Sequence, residues 1–95
     1  MTANDYQKAA MKTASDVCRS SINAALGLTG EAGAVAEAVK KSIYHDIDLD
    51  AKKVAGKLGD VIWYVALMAE IIGCSMEDIM KMNIEKLEAR YGHKK

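Results

Sequence analysis

Four positions in two segments of the chain have the spacing of a divalent-metal site. Glu31 lies three residues before position 34, and position 57 lies three before Asp60. Residues three apart share a helix face, and two antiparallel helices can bring both pairs into one pocket. Carboxylates at all four positions would hold Mg²⁺ against nucleotide phosphates, because hard cations prefer oxygen ligands. Position 34 is alanine and position 57 is lysine, however, so only two of the four acids are present.

Four predicted helices must position these residues. We expect the first over about Asn4–Cys18 and the second over about Ser20–Ile43. The third covers Ala51–Ile72, and the fourth follows Ser75 and ends near Tyr91. Apolar residues recur at helical spacing in these segments, which supports the assignments.

Capping residues mark the ends of the predicted helices. Thr2 or Asn4 can cap the first helix, Asp50 the third and Ser75 the fourth, and Gly73 favours a left-handed end to the third. Residues 44–50 are predicted to form a long connection, with a two-residue strand as the alternative. Its three alternating aspartates, which begin at Asp46, resemble the start of an EF-hand loop. Position 51 is Ala rather than Gly and position 57 is Lys rather than Glu, so we reject a calcium site.

Three glycines at intervals of three residues stand in the second predicted helix. Gly27, Gly30 and Gly33 would each weaken a helix by about 1 kcal/mol relative to alanine. Their clustering favours a close approach of another helix or of a ligand. The alternative is that Gly27 ends a short helix and that a new one starts near Thr29.

Composition limits the class of protein. The length of 95 residues predicts a single domain over residues 1–95. The 13 basic residues balance the 13 acidic ones, so the chain has no net positive charge that would attract nucleic acid. The third helix is apolar around most of its circumference, which predicts burial by a partner subunit as well as by its own bundle. The nine-residue apolar run from Val61 to Ala69 is too short for a membrane span, and no signal peptide is evident. We therefore expect a cytoplasmic protein without membrane contact, whose Cys18 and Cys74 are free thiols.

Three blocks of sequence together resemble the MazG-like nucleotide pyrophosphohydrolases of the all-α NTP pyrophosphatase superfamily. They read GLTGEAGAVAE over residues 27–37, LGDVIWY over 58–64 and MNIEKLEARY over 82–91. The resemblance implies an all-α, four-helix protomer that assembles into a homodimer or homotetramer. It also implies hydrolysis of nucleoside or deoxynucleoside triphosphates to the monophosphate and pyrophosphate, with Mg²⁺ or Mn²⁺ as the cofactor.

The resemblance assigns roles to particular residues of this chain. Glu31 and Asp60 match catalytic, metal-binding acids, and Glu37 joins the metal ligands if the first pair is shifted along the helix. Ala34 then takes the first position of that pair, so one acid is still missing, and Lys57 breaks the second pair in either alignment. The substrate-binding residues that the resemblance implies are Asn83, Lys86, Arg90, Lys57 and Trp63.

Each of these residues also has a plainer interpretation. The acids are ordinary solvated helix positions if the resemblance is set aside, and Trp63 with Tyr64 is typical of a core or an interface. Lys86 and Arg90 can form a solvated face. Lys57 can pair with a nearby carboxylate in place of the metal, or contact a phosphate itself. Weak metal binding and weak hydrolysis are therefore expected, with a non-catalytic nucleotide-binding module or an oligomerisation module as the alternatives.

Overall fold

A computed structural model describes residues 1–45 and 47–92. It contains four α-helices and one 3₁₀ turn, and no strand among the described residues, as the all-α prediction requires. The elements are α1 (Ala3–Met11), the turn Asp16–Cys18, α2 (Ser21–Tyr44), α3 (Ala51–Ile72) and α4 (Met76–Tyr91). Asp46, the first aspartate of the rejected calcium loop, lies outside the described residues.

Side-chain caps fix the start of every helix, as the sequence predicts for three of the four. Thr2 and Asp5 form a reciprocal capping box on α1, which lowers the pKa of the Asp5 carboxyl through its hydrogen bonds with Thr2. Asp50 and Ser75 accept from the backbone of the first turns of α3 and α4. Gly73 ends α3 in the left-handed region at φ 79°, where glycine is favoured.

The first helix is shorter than predicted, because it ends at Met11 and not at Cys18. The Thr13 hydroxyl donates to the Ala10 carbonyl at 2.6 Å, and the Arg19 guanidinium donates to the Met11 carbonyl at 2.9 Å. These donors satisfy carbonyls that a longer helix would bond to its own backbone. Side chains in this segment therefore compete with helix continuation.

The core is small and centred on α3, which contacts α1, α2 and α4. The buried apolar residues are Ala10, Met11, Ala24, Ala66, Leu67, Ala69 and Met76. Buried Gln7 ties α1 to the turn before α4: its Nε2 donates to the Cys74 carbonyl at 3.1 Å, and its Oε1 accepts from the Met76 N–H at 2.7 Å. This core joins the other helices to α3 and leaves many large apolar side chains on α2, α3 and α4 exposed.

The second helix is continuous over Ser21–Tyr44, as predicted, so the alternative of a break at Gly27 is wrong. Gly27 instead meets the ring of Tyr64 so closely that a β-carbon there would overlap it. Gly30 and Gly33 have open space on their side-chain side. The predicted close approach therefore holds for Gly27 alone.

In the described residues, no single helix is long and apolar enough to cross a membrane. Helices α3 and α4 meet that criterion only as a pair, and the pair is bent by 99°. Cys18 and Cys74 are free thiols, as predicted.

Candidate functional site

The face between α2 and α3 carries the candidate site, and Gly27 sets its register. Gly27 on α2 packs on Tyr64 of α3. Glu31 lies four residues after Gly27 and Asp60 lies four residues before Tyr64, so this register sets Glu31 opposite Asp60. The helices run antiparallel, and these steps follow one stripe of each helix. The predicted pair of surviving acids thus shares one end of this face.

The same register sets Ala34, three residues after Glu31, opposite Lys57, three residues before Asp60. Both residues line a single cavity between the two helices. The two positions where the sequence lacks a carboxylate are therefore neighbours in space as well as in the pattern. Glu37 lines this cavity too, one turn beyond Ala34.

The surviving acids do not form a metal-binding cluster. Within the part of the chain that the structure describes, no group of three or more acidic, histidine or cysteine side chains is placed to hold a metal ion. Glu31 is half-buried, whereas Glu37 and Asp60 are exposed. Mg²⁺ needs near-octahedral oxygen ligation, so the residues of one protomer do not fit a complete magnesium site.

Lys57 does not replace the metal by closing an ion pair with the acids. Over residues 1–45 and 47–92, the only ion pair within 4.0 Å joins Arg19 to Asp16. The half-buried Lys57 side chain thus keeps its ammonium free of Glu31 and Asp60. Of the two roles expected for Lys57, contact with a phosphate is the one that this geometry leaves open.

Asp60 also raises the pKa of a tyrosine on α1, a relation that the sequence pattern does not indicate. Partial burial, and secondarily the negative charge of Asp60, raise the pKa of the Tyr6 phenol. Tyr6 packs at the edge of the core beside Gly59 and Ile62. A tyrosine hydroxyl therefore stands near the acid, and only the α1–α3 packing reveals it.

Trp63 turns away from the α2–α3 face. Its indole Nε1–H donates to the Thr13 hydroxyl at 2.9 Å, beyond the end of α1. Its ring meets the Tyr64 ring edge-on, with centroids 5.0 Å apart and planes at 81°. In the protomer Trp63 thus has the packing role that the plainer interpretation expects.

The polar residues of α4 lie apart from the other candidates. Asn83 and Lys86 line a separate cavity with Ile72 and Met82. Arg90 stands near the end of α4, with its guanidinium carbon 6.0 Å from the centroid of the neighbouring Tyr91 ring. The main contacts of α4 are with α1 and α3, so in one protomer these residues lie apart from the α2–α3 face.

Sequence comparison places this helical chain in a known protein family. The family model for the MazG nucleotide pyrophosphohydrolase domain matches residues 19–94. The chain belongs to this family, as the resemblance of its three blocks implied.

Two curated proteins illustrate how distant the relatives are. Gene 37 protein of Mycobacterium phage L5 is 37% identical over 70 residues, which cover 68% of this chain and 60% of the phage protein. Uncharacterized protein YvdC of Bacillus subtilis strain 168 is 46% identical over 37 residues, which cover 39% of this chain and 35% of that protein. The matched segments thus span less than two thirds of either relative. No solved structure gives a significant match.

Proposed function

We propose that the chain binds nucleoside triphosphates on the α2–α3 face and hydrolyses them slowly. In the reaction, water adds across the anhydride between the α and β phosphates, and the products are the monophosphate and pyrophosphate. The observation that carries this proposal is the packing of Gly27 on Tyr64 in a chain of this family, from whose register we infer that Glu31 and Asp60 face each other. Divalent metal, Mg²⁺ or Mn²⁺, would supply charge neutralisation at the phosphates.

Charge explains why the proposed hydrolysis is slow. Four carboxylates would offer a charge of about −4 to metal ions, whereas Glu31, Asp60 and Lys57 together offer about −1. Two unit charges 4 Å apart interact by about 4 kcal/mol at an effective dielectric of 20, and a divalent ion doubles this value. An ammonium at Lys57 therefore offsets most of the attraction of one carboxylate, and a metal with this ligand set is bound weakly.

Pyrophosphate release tests the proposed activity. The assay uses a full panel of ribo- and deoxyribonucleoside triphosphates, with Mg²⁺ and then Mn²⁺, at high protein concentration. We expect slow, metal-dependent release from at least one nucleotide, and Asp60→Asn should abolish it. The absence of release across the whole panel would reject hydrolysis.

A second candidate function is nucleotide binding without hydrolysis. It is favoured by the lack of a metal-binding cluster among the described side chains and by the unpaired Lys57 ammonium. Calorimetry of ATP binding in EDTA, together with the pyrophosphate assay, separates the two candidates. A binding-only protein should bind ATP in EDTA and release no pyrophosphate with Mg²⁺, whereas release with Mg²⁺ supports the enzyme.

We also propose that the working form is a homodimer or homotetramer. The radius of gyration is 16.0 Å, against about 12 Å for a compact chain of this length. Large apolar side chains stay exposed on α2, α3 and α4: Ile22, Leu26, Ile43, Tyr44, Leu58, Ile62, Ile72, Met80, Met82, Ile84 and Tyr91.

Assembly also gives the α4 residues a route to the site. Residues 80–92 are all exposed, so the α4 helix of a second protomer can present Asn83, Lys86 and Arg90 to the phosphates. Sedimentation equilibrium should show a dimer or tetramer at micromolar concentration. A monomer there would reject both the assembly and this role for α4.

A further inference from the structure

A cavity of about 250 Å³ lies between the C-terminal half of α2 and the start of α3, and half of its lining residues are lysines. Its walls are Ala34, Glu37, Ala38, Lys41, Lys53 and Lys57. Three ammonium groups and one carboxylate give the walls a net charge of about +2 at neutral pH. The cavity occupies the place where Ala34 and Lys57 stand in the acid pattern.

The lysines of this cavity form no close ion pair with the carboxylates that the structure describes. Among the described residues, none of the three comes within 4.0 Å of a carboxylate oxygen. Lys41 and Lys53 also line an adjoining cavity that contains Asp48 and Asp50, so their charge is shared between the two cavities. Lys57 does not line that adjoining cavity, and it is the half-buried member of the three. It should therefore contribute most to the binding of an anion.

The position of Lys53 adds a second argument. Lys52 and Lys53 lie in the first turn of α3, which contains no acidic residue. The capping carboxylate of Asp50 already interacts with the N-terminal end of the helix dipole. The two lysine ammonium groups oppose that dipole, and an anion in the cavity would interact favourably with Lys53.

We propose that this cavity binds a phosphate chain directly through lysine ammonium groups, without a divalent metal. It is smaller than the roughly 300–1,000 Å³ of pockets for drug-sized ligands, so it suits a di- or triphosphate group rather than a whole nucleotide. Lys57 thus takes over the charge neutralisation that a metal would provide. The inference rests on the proposed function only in taking a phosphate compound as the ligand.

Titration calorimetry with inorganic triphosphate in EDTA and low salt tests this inference. Wild type should bind, and Lys57→Gln should bind about tenfold more weakly, since it loses a charge-assisted contact. Lys52→Gln makes the same change of charge on an exposed neighbour outside the cavity. It should alter the affinity by no more than about twofold, because solvent and salt screen such charges. Circular dichroism checks that both variants fold.

Two results would overturn the inference. One is the absence of triphosphate binding by wild type, and the other is an equal loss in Lys57→Gln and Lys52→Gln. A parallel titration with ATP in EDTA identifies the source of the phosphate chain: competition with triphosphate is expected if a nucleotide supplies it. Slow pyrophosphate release with Mg²⁺ alongside no binding of triphosphate would reject this cavity and leave the proposed hydrolysis standing. Binding without release would do the reverse.

Discussion

Replacing Gly27 by alanine tests the contact that sets the register of α2 on α3. A β-carbon at this position overlaps the ring of Tyr64, so the ring must shift or the helices must separate. Overpacking of this kind costs about 1–3 kcal/mol. The same substitution gains about 1 kcal/mol of helix propensity. The net change should therefore lie between about 0 and 2 kcal/mol of lost stability.

Gly30→Ala is the matched control for this substitution. It lies in the same helix, and nothing stands within 4 Å of its would-be β-carbon. It should keep the whole propensity gain of about 1 kcal/mol. We expect Gly27→Ala to be less stable than Gly30→Ala by about 1–3 kcal/mol, which for a domain of this size is a difference in Tm of about 4 °C or more.

Urea and thermal denaturation measure the difference between the two variants. Tyr64→Leu should narrow it, because the shorter side chain leaves space above Gly27. Equal stabilisation by both alanines would refute the contact and the register derived from it. Destabilisation by Gly30→Ala instead would show that a second protomer or a ligand covers this part of α2.

Two other perturbations probe the supports of the site. Gln7→Met keeps the volume but leaves the Met76 N–H and the Cys74 carbonyl without their partner, so urea denaturation should show a loss of roughly 2–3 kcal/mol. The Tyr6 phenol should titrate above its ordinary pKa of 10.0 in NMR of ¹³C-labelled tyrosine. Asp60→Asn should lower this pKa only in part, because burial is the larger cause. Since the folded pKa is the higher one, stability should decline as the pH rises through it, and Tyr6→Phe should remove that decline. An unshifted phenol, or an unchanged pKa in Asp60→Asn, would contradict this account.

Local signals in the sequence predict the later helices correctly. Asp50, Gly73 and Ser75 act through their own backbone neighbours, so the ends of α3 and the start of α4 agree with expectation. The end of α1 was missed because it depends on Arg19, which reaches back to the Met11 carbonyl from outside the helix. Such a bond spans two elements and leaves no periodic signature.

The sequence predicts the residues of the candidate site and their place on two antiparallel helices, but not the register between those helices. Helix spacing indicates that Glu31 and position 34 share a face, but the meeting of Ala34 with Lys57 depends on the packing of Gly27 against Tyr64. The direction of α4, which separates Asn83 from these residues, depends on the turn at Gly73 and on the docking of Gln7. Single-sequence periodicity contains neither relation.

Restoring the two missing acids tests the central claim most directly. The claim is that the α2–α3 face is a nucleotide site weakened by Ala34 and Lys57. The measurement is the rate of pyrophosphate release with Mg²⁺ from the best nucleotide. The double variant Ala34→Glu with Lys57→Glu should raise it by about 100-fold at saturating Mg²⁺, because metal held by the restored acids replaces the phosphate contact that Lys57 supplies. Ala36→Glu with Lys52→Glu makes the same chemical changes at exposed positions off this face and should leave it unchanged. A folded double variant that is no faster than the wild type would contradict the claim.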